Sequence, residues 1–339
     1  MTRNFAGCRP KPTAAMKVFV TGAAGNLGLL LTRYLLEHTD VALRLMVHRR
    51  PLPAAVAGHP RVEVLHADLG NLATIRGRCA GCDTLVHFAG VLFKARPAEF
   101  LPTTNTGYFR NLVEAAVADG VKKIVLVSFP QVEGPTTYDR PATGRLDGSP
   151  ISIHAATRLE EERLVMKNAS QPVVLRAGMV YGRGMLMVDA ARWLARKRLL
   201  GVWREPTPIH LISREDFCAA ATSAILNADA RGIYHLGDEG RITLQEFLDT
   251  ACEQWACAPP WRMPLWMIYS AATAFELFSL IFRVAAPLTR DLIDIGRVPY
   301  YGDTARTRRE LLPKLRYSTL REGLKTLGNQ PAQRPIDPC

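Results

Sequence analysis

The sequence predicts an α/β fold in which a doubly wound parallel sheet is followed by a smaller, mostly helical C-terminal domain. Three observations lead to this prediction. Short β-branched runs alternate with segments of helical periodicity up to about residue 177. A glycine-rich turn joins the first strand to the first helix, and the length of 339 residues leaves room for a smaller second domain. We therefore expect a nucleotide-binding domain over 16–177 and a second domain over 178–328.

The predicted strands of the sheet are separated by segments such as 111–118, in which apolar residues recur at helical spacing. Strands that alternate with helices pair in parallel, and helices then cover both faces of the sheet. A further short strand at 232–237 follows a predicted return of the chain to the first domain near 208–237. The six strands predicted for the first domain are 18–20, 41–47, 62–65, 84–88, 123–127 and 173–176.

The turn after the first strand has the spacing Gly-x-x-Gly-x-x-Gly. Gly22 allows the tight turn, Gly25 lets backbone N–H groups approach a pyrophosphate, and Gly28 lets the helix pack against the strand. The spacing favours dinucleotide binding over the alternative, an ordinary turn that needs a positive φ. The residues expected to contact the cofactor here are Gly22, Ala24, Gly25, Asn26, Leu27 and Gly28.

The end of the second strand indicates which dinucleotide binds. Folds specific for NAD place a carboxylate there for the ribose 2′-hydroxyl, but this chain has His48, Arg49 and Arg50. A guanidinium offers a planar fork of donors to a phosphate, so Arg49 and Arg50 predict NADP, with NAD the less favoured cofactor. The alternative is a solvated basic loop.

Two later strand ends complete the predicted cofactor site. Asp68 can reach the adenine amino group while Leu69 packs on the ring, although Asp68 could instead, or also, cap a helix. At the end of the fourth strand, Phe88, Ala89 and Gly90 allow the backbone to lie against the ribose and pyrophosphate.

These motifs, taken in order, resemble the extended short-chain dehydrogenase/reductase family, also described as the NAD-dependent epimerase/dehydratase family. The matching segments are TGAAGNLG, the Asp-Leu pair, HFAG, NTGYFRNLVEAA and LRAGMVYG, and the resemblance covers residues 16–325. It implies a Rossmann fold followed by a substrate-binding cap over 178–328. It also adds Asn105, which begins the helix predicted after the fourth strand, to the cofactor-binding residues.

The family's reaction uses a Tyr as the proton donor and a Lys four residues later, which lies on the same helix face. Aligned on that pattern, the chain has His154 at the Tyr position and Arg158 at the Lys position. The family's Ser or Thr after the fifth strand aligns with Phe129, and Ser128 is adjacent. Either Ser128 supplies the hydroxyl through a one-residue shift, or the site offers no hydroxyl.

His154 can perform acid–base chemistry, because an imidazole titrates near neutral pH without help from a lysine. Arg158 can bind the ribose hydroxyls, but it cannot relay a proton. The alternative is that His154 is only a helix residue in a site that has lost the family's chemistry.

An apolar stretch at 264–286 is interrupted at intervals of three or four residues by Ser270, Thr273, Glu276, Ser279 and Arg283. This narrow polar stripe favours an interfacial or substrate-covering helix over a membrane span. The region and the segment 302–306 resemble the 3β-hydroxysteroid dehydrogenase-like branch, which implies an apolar substrate. A buried core helix and a dimer-forming helix are the alternatives, and a homodimer is expected only by family analogy.

Composition narrows the class of protein and its location. The chain has 339 residues, and 43 Lys and Arg against 31 Asp and Glu give a net charge of +12. This charge suits an anionic cofactor or membrane surface, and no nucleic-acid-binding module accompanies it. Seven mostly isolated cysteines predict a reducing, cytoplasmic location. Cys79 and Cys82 lack a second pair at metal-binding spacing. The basic charge together with the apolar stretch allows association with a membrane surface. Residues 1–15 are expected to be a disordered leader and 329–339 a tail.

The sequence thus predicts an NADP-dependent oxidoreductase that acts on a hydrophobic carbonyl or alcohol, with His154 donating the proton and no metal. Two alternatives stay open. One is a non-redox isomerase, lyase or cyclase that uses His154, and the other is a non-catalytic protein that senses the cofactor.

Overall fold

The computed structural model describes residues 16–90, 95–282, 286 and 288–328. The predicted leader and tail lie outside the described residues, as do 283–285 of the apolar stretch. The strands are β1 (Lys17–Thr21), β2 (Ala42–Val47), β3 (Val62–His66), β4 (Thr84–His87), β5 (Lys123–Ser128), β6 (Gln171–Ala177), β7 (Met179–Tyr181), β8 (Gly201–Trp203), β9 (Pro208–Ile209), β10 (Leu211–Ser213), β11 (Gly232–Leu236), β12 (Ile242–Thr243) and β13 (Trp261–Met263).

Helices connect these strands and form most of the C-terminal part. They are α1 (Asn26–His38), α2 (Ala54–Ala57), α3 (Pro97–Leu101), α4 (Tyr108–Ala118), α5 (Ile153–Asn168), α6 (Leu186–Arg196), α7 (Arg214–Leu226), α8 (Leu244–Gln254), α9 (Leu265–Phe282), α10 (Arg290–Arg297), α11 (Ala305–Glu310) and α12 (Leu320–Gly323). A π-helical turn, Pro102–Gly107, runs directly into α4.

Seven strands form one parallel sheet in the order β11-β6-β5-β4-β1-β2-β3. The predicted α/β fold is confirmed, and each predicted strand lies within two residues of an observed one. The chain order reverses between β1 and β4, and ligands of such sheets bind at the carboxyl ends of the strands beside this reversal. Gly22 follows β1 and Phe88 follows β4, which brings two predicted cofactor segments together.

The sheet is covered on both faces, because successive side chains of a strand point to opposite sides. Val18 and Val20 pack with residues of α1 and α7 on one face. Phe19 packs with residues of α4 and α5 on the other. A third core, which includes Trp203 and Phe247, lies in the C-terminal region.

Helix α9 differs from the rest of the molecule in what it exposes. Among its residues, only Ile268, Ala272, Glu276 and Ser279 are buried. By length and composition α9 could cross a membrane, since its mean hydropathy is 1.6 and only 22% of it is buried in the protein. The polar stripe predicted for this helix therefore lies partly against the protein, while large apolar side chains face outward.

Candidate functional site

The turn after β1 requires glycine at two positions. Gly22 has a φ of +73°, and a Cβ placed there would lie 2.7 Å from the backbone nitrogen of Ala89. A Cβ on Gly28 would lie 2.2 Å from the carbonyl oxygen of Gly22. The turn is closed by a hydrogen bond of 2.8 Å from the Gly25 nitrogen to the Gly22 oxygen. The glycines thus let the start of α1 approach the ends of β1 and β4 closely.

Helix α1 begins at Asn26, and in the described structure no side chain caps its first turn. The first N–H groups of a helix lack partners within the helix and carry partial positive charge, which suits a pyrophosphate. The Asn26 side chain itself is engaged elsewhere, since its Nδ2 donates to the Gly184 oxygen at 2.5 Å and its Oδ1 accepts from the Leu186 nitrogen at 3.0 Å. Asn26 can therefore offer a cofactor its backbone, while its side chain joins α1 to the start of α6.

The basic residues after β2, His48, Arg49 and Arg50, are all exposed. His48 Nε2 lies 3.9 Å from Asp68 Oδ2, which joins the ends of β2 and β3. Asp68 does not cap a helix, because its Oδ1 accepts a hydrogen bond from the Gly70 nitrogen at 2.9 Å. The short 3-10 helix that follows is capped instead by Asn71.

The ring of Tyr108 packs against the turn formed by Asp68, Leu69 and Gly70, since a Cβ on Gly70 would lie 2.9 Å from the ring. Asn111 donates to the carbonyl oxygen of Leu69 at 2.9 Å. The two contacts hold the turn at Asp68 and Leu69 against the start of α4.

The guanidinium of Arg158, a residue of α5, lies next to the segment that follows β4. A Cβ on Gly90 would lie 3.1 Å from Arg158 Nη2, so the guanidinium rests against that glycine. Arg158 is buried, and its Nη1 donates to Glu161 Oε2 at 2.5 Å. Its Nε has no hydrogen-bond partner within the described part of the chain. A buried donor without a partner is costly, so the Nε of Arg158 favours an additional acceptor such as a hydroxyl of a bound ligand.

Asn105 is buried in the π-helical turn and faces α5. Its Nδ2 donates to Thr157 Oγ1 at 3.4 Å, one residue before Arg158. Asn105 therefore supports the helix that carries Arg158 and His154.

His154 lies in the first turn of α5, whose N-cap Ser152 accepts a hydrogen bond from the Ala155 nitrogen at 3.1 Å. The imidazole is 7% exposed, and its Nδ1 lies 3.8 Å from Asp291 Oδ2 of α10. Asp291 Oδ1 accepts from the Ile153 nitrogen at 3.1 Å, which holds the carboxylate at the start of α5. The structure thus pairs His154 with a carboxylate.

The charge states of this pair follow from burial. Burial, assisted by the positive charge of Arg158, lowers the pKa of His154 to about 4. Burial raises the pKa of Asp291 to about 6. At neutral pH the imidazole is consequently neutral and the carboxylate ionised. The lowered pKa makes His154 a weak base, and Asp291 is the carboxylate placed to stabilise its protonated form.

Ser128 belongs to a different set of contacts. Its Oγ donates to Glu162 Oε1 at 2.5 Å, and Glu162 also accepts from Arg176 Nε and Nη2. Arg176 is fully buried and reaches Glu133 with its Nη1. Burial raises the pKa of Glu162.

The side chain that lies next to His154 is instead Phe129, whose ring centroid is 6.4 Å from that of the imidazole. Of the two alternatives for this loop, the described contacts place an aromatic ring, rather than the Ser128 hydroxyl, beside His154.

Sequence reasoning missed Asp291, which lies 138 positions after Ile153 and has no motif around it. It also missed the ion pair of Arg158 with Glu161, although the three-residue spacing on one helix face was a usable signal.

Cys79 and Cys82 are buried free thiols in a turn, and burial raises the pKa of Cys79 to about 12. Within the described residues, no group of three or more His, Cys, Asp or Glu side chains could hold a metal ion.

Comparison with known proteins identifies the first domain. Residues 22–180 match a family model described as NAD(P)H-binding. A uronate dehydrogenase of Pseudomonas putida is 36% identical over 112 residues, which make up 33% of this chain and 40% of that protein. Human 3 beta-hydroxysteroid dehydrogenase type 7 is 30% identical over 128 residues, which make up 36% of this chain and 35% of that protein. The chain thus spans less than half the length of these curated relatives.

Among solved structures, DesIV, a dTDP-glucose 4,6-dehydratase from Streptomyces venezuelae with NAD bound, superposes with a TM-score of 0.71 at 19% identity. The match covers 92% of this chain and 96% of that one, and at this identity it shows the fold alone. The chain therefore carries an NAD(P)-binding Rossmann domain on the scaffold of NAD(P)-dependent dehydrogenases and epimerases.

Proposed function

We propose that the chain is an NADP-dependent oxidoreductase of the extended short-chain dehydrogenase/reductase type that interconverts a hydrophobic alcohol and its ketone. The observation that supports this most directly is the buried, neutral His154 beside Asp291, on the same helix face as Arg158. Arg158 rests against Gly90 at the cofactor end of the sheet. One helix therefore carries both a proton acceptor and a ribose ligand.

The cofactor, when bound, supplies the nicotinamide that accepts the hydride from the alcohol carbon. His154 accepts the proton of the substrate hydroxyl, and Asp291 stabilises the positive imidazolium across 3.8 Å. Arg158 stays charged throughout and holds the ribose. Because burial lowers the pKa of His154 to about 4, little imidazolium is present at pH 7. In the oxidation direction the neutral imidazole accepts the proton, and in the reduction direction the imidazolium returns it, which is the donor role that the sequence suggested for His154.

A hydrophobic substrate is supported by Phe129, which stands beside His154 where the family has a hydroxyl. The uronate dehydrogenase relative suggests a sugar acid as the competing substrate class. Binding a sugar acid calls for polar groups around the reacting carbon, and an aromatic ring there favours an apolar alcohol.

The activity test is oxidation of lipophilic secondary alcohols and of uronates by the parent and by His154→Phe, followed by nicotinamide absorbance. We expect turnover of a lipophilic alcohol to fall by about 10²–10⁴-fold in the variant, the usual contribution of a general base. The matched control is His38→Phe at the exposed end of α1, which should retain parental turnover. Unchanged turnover in His154→Phe would remove this residue from the mechanism.

The cofactor test is titration of the purified protein with NADPH and with NADH, followed by nicotinamide fluorescence. If Arg49 and Arg50 bind the 2′-phosphate, Arg49→Ala/Arg50→Ala should weaken NADPH binding by about tenfold or more and leave NADH binding unchanged. Equal affinity of the parent for both cofactors would contradict the NADP assignment.

The second candidate is a non-redox reaction, an isomerisation, elimination or cyclisation assisted by His154. It is favoured by the placement of Ser128, whose hydroxyl is occupied by Glu162. It predicts product formation that depends on His154 without any net change in nicotinamide absorbance.

A further inference from the structure

We infer that the outer face of α9 docks on an anionic lipid bilayer and lies in the plane of its surface. We call this surface the α9 face. It consists of the exposed apolar residues Trp266, Met267, Phe275, Leu277, Phe278, Leu280, Ile281 and Phe282.

The pattern of burial along α9 is the reverse of that of a typical surface helix. The buried positions 268, 272, 276 and 279 form one stripe at helical spacing, and two of them are the polar residues Glu276 and Ser279. The largest apolar side chains point away, and Ile281 is 73% exposed. Soluble proteins bury the apolar side of such a helix, and a large exposed apolar surface marks a site of contact.

The inner stripe attaches α9 firmly to α10. Glu276 accepts hydrogen bonds from the Arg290 nitrogen at 2.7 Å and from Arg290 Nε at 2.9 Å. The Tyr269 hydroxyl donates to Asp294 and accepts from Arg297. If α9 crossed the bilayer, it would carry the Glu276–Arg290 pair into hydrocarbon or break it, and either is costly. Lying in the interface keeps these bonds and still buries the apolar side.

A basic and aromatic surface adjoins the start of α9. Three consecutive exposed cations, Arg196, Lys197 and Arg198, begin at the last residue of α6 and lead toward β8. Trp261 of β13 donates its indole N–H to the Arg198 oxygen at 3.0 Å and is 65% exposed. Strand β13 leads directly into α9 at Leu265. Arg198 therefore adjoins Trp261, which comes four residues before the start of α9, and Arg196 and Lys197 directly precede Arg198 in the chain.

This combination selects an anionic membrane as the occupant. Lys and Arg near a membrane attract anionic headgroups, and tryptophan favours the boundary between headgroups and chains. The net charge of +12 on the whole chain points to the same occupant.

The inference is tested by flotation of the purified full chain with phosphatidylcholine vesicles, with or without phosphatidylglycerol. We expect binding to the anionic vesicles that weakens as salt is raised. In Phe278→Ser/Ile281→Ser we expect the partition coefficient to fall by about tenfold or more, since two apolar side chains that would enter the bilayer are lost. In Arg196→Glu/Lys197→Glu the preference for anionic vesicles should disappear.

Two control variants separate this surface from general effects of composition. Val117→Ser/Leu226→Ser removes two exposed apolar residues from α4 and α7, and Lys122→Glu/Arg309→Glu reverses two exposed charges elsewhere. Both should bind vesicles like the parent.

Several results would overturn the inference. The parent failing to float with anionic vesicles is one, and parental binding by Phe278→Ser/Ile281→Ser is another. Concentration-dependent dimerisation that this variant abolishes, without vesicle binding by the parent, would assign the face to a second copy. Resistance of membrane-bound protein to alkaline extraction would show that α9 spans the bilayer.

Discussion

Helices α5 and α9 differ in which side chains they bury: α5 buries charged residues, and α9 exposes apolar ones. Helix α5 buries His154, Arg158, Glu161 and Glu162, whereas α9 exposes most of its large apolar side chains. The charged groups of α5 are tolerated inside because they have charged partners. His154 lies beside Asp291 of α10, and Glu162 pairs with Arg176 of β6. Arg158 and Glu161 pair with each other along α5. The α9 face has no protein partner in the described structure, and Glu276 and Tyr269 on the other side of the helix bond to α10. Burial in this protein therefore follows the available partners rather than hydropathy.

The largest effect should come from breaking the buried charge network next to α5. Arg176→Met leaves Glu162 and Glu133 without their common cation, and we expect unfolding free energy to fall by about 3–5 kcal/mol. The loss should grow as the pH rises, because without Arg176 the folded protein holds a proton on Glu162 that the unfolded chain releases. Urea denaturation at two pH values measures both effects.

The control for this prediction is Arg76→Met, which removes an exposed partner of Glu114. Exposed pairs contribute little, so we expect a change within about 0.5 kcal/mol. Equal losses in the two variants would mean that burial adds nothing to the cost of an unpaired charge here.

The next largest effect concerns the pH dependence of alcohol oxidation. The pKa of His154 is lowered to about 4 and that of Asp291 is raised to about 6. Oxidation should therefore rise as Asp291 ionises and level off above its pKa. Asp291→Asn keeps an acceptor for the Ile153 nitrogen but loses the charge, so we expect the step near pH 6 to vanish and the rate at pH 7 to fall by about tenfold or more. The kcat/KM profile measures this, and a parental profile in Asp291→Asn would refute a role for Asp291.

A smaller effect is expected at the inner stripe of α9. Glu276→Ala leaves the Arg290 nitrogen and side chain without their acceptor, and we expect unfolding free energy to fall by about 1–3 kcal/mol. Thermal and urea denaturation measure this loss. Ser270→Ala, at an exposed position of the same helix, is the control and should differ little from the parent.

The smallest effect should come from the α9 face. Phe278→Ser/Ile281→Ser removes apolar groups that the folded protein already leaves in water, so we expect stability within about 0.5 kcal/mol of the parent. A large loss of stability would show that this face is covered within the folded protein, and it would remove the contrast between α5 and α9.

Much of the first domain was predictable because its signals are local. The glycine turn, the strand before it and the helix after it are encoded in about 30 consecutive residues of a βαβ unit. The prediction that residues 123–127 form a strand and 111–118 a helix rests on local sequence pattern in the same way. The positions of Gly22, Phe88 and Gly90 followed once the parallel sheet was recognised, because its carboxyl ends meet at one edge.

The residues around His154 could be predicted from the sequence only in part. Alignment placed His154 and Arg158 on one helix face, which the structure shows. It could not place Asp291, since no periodicity or spacing connects α10 to α5. It could not choose between Ser128 and Phe129 either, because a shift of one residue in a loop reverses which side chain faces the site.

The sequence by itself therefore determined the α/β fold and the dinucleotide-binding turn, because strand, turn and helix are local choices of backbone and hydrophobic spacing. Only the tertiary structure decided that His154 meets Asp291, that Ser128 turns to Glu162 and that α9 directs its apolar side outward. Each of these depends on which distant element lies opposite, and burial, charge state and exposure are properties of that meeting rather than of the residue alone.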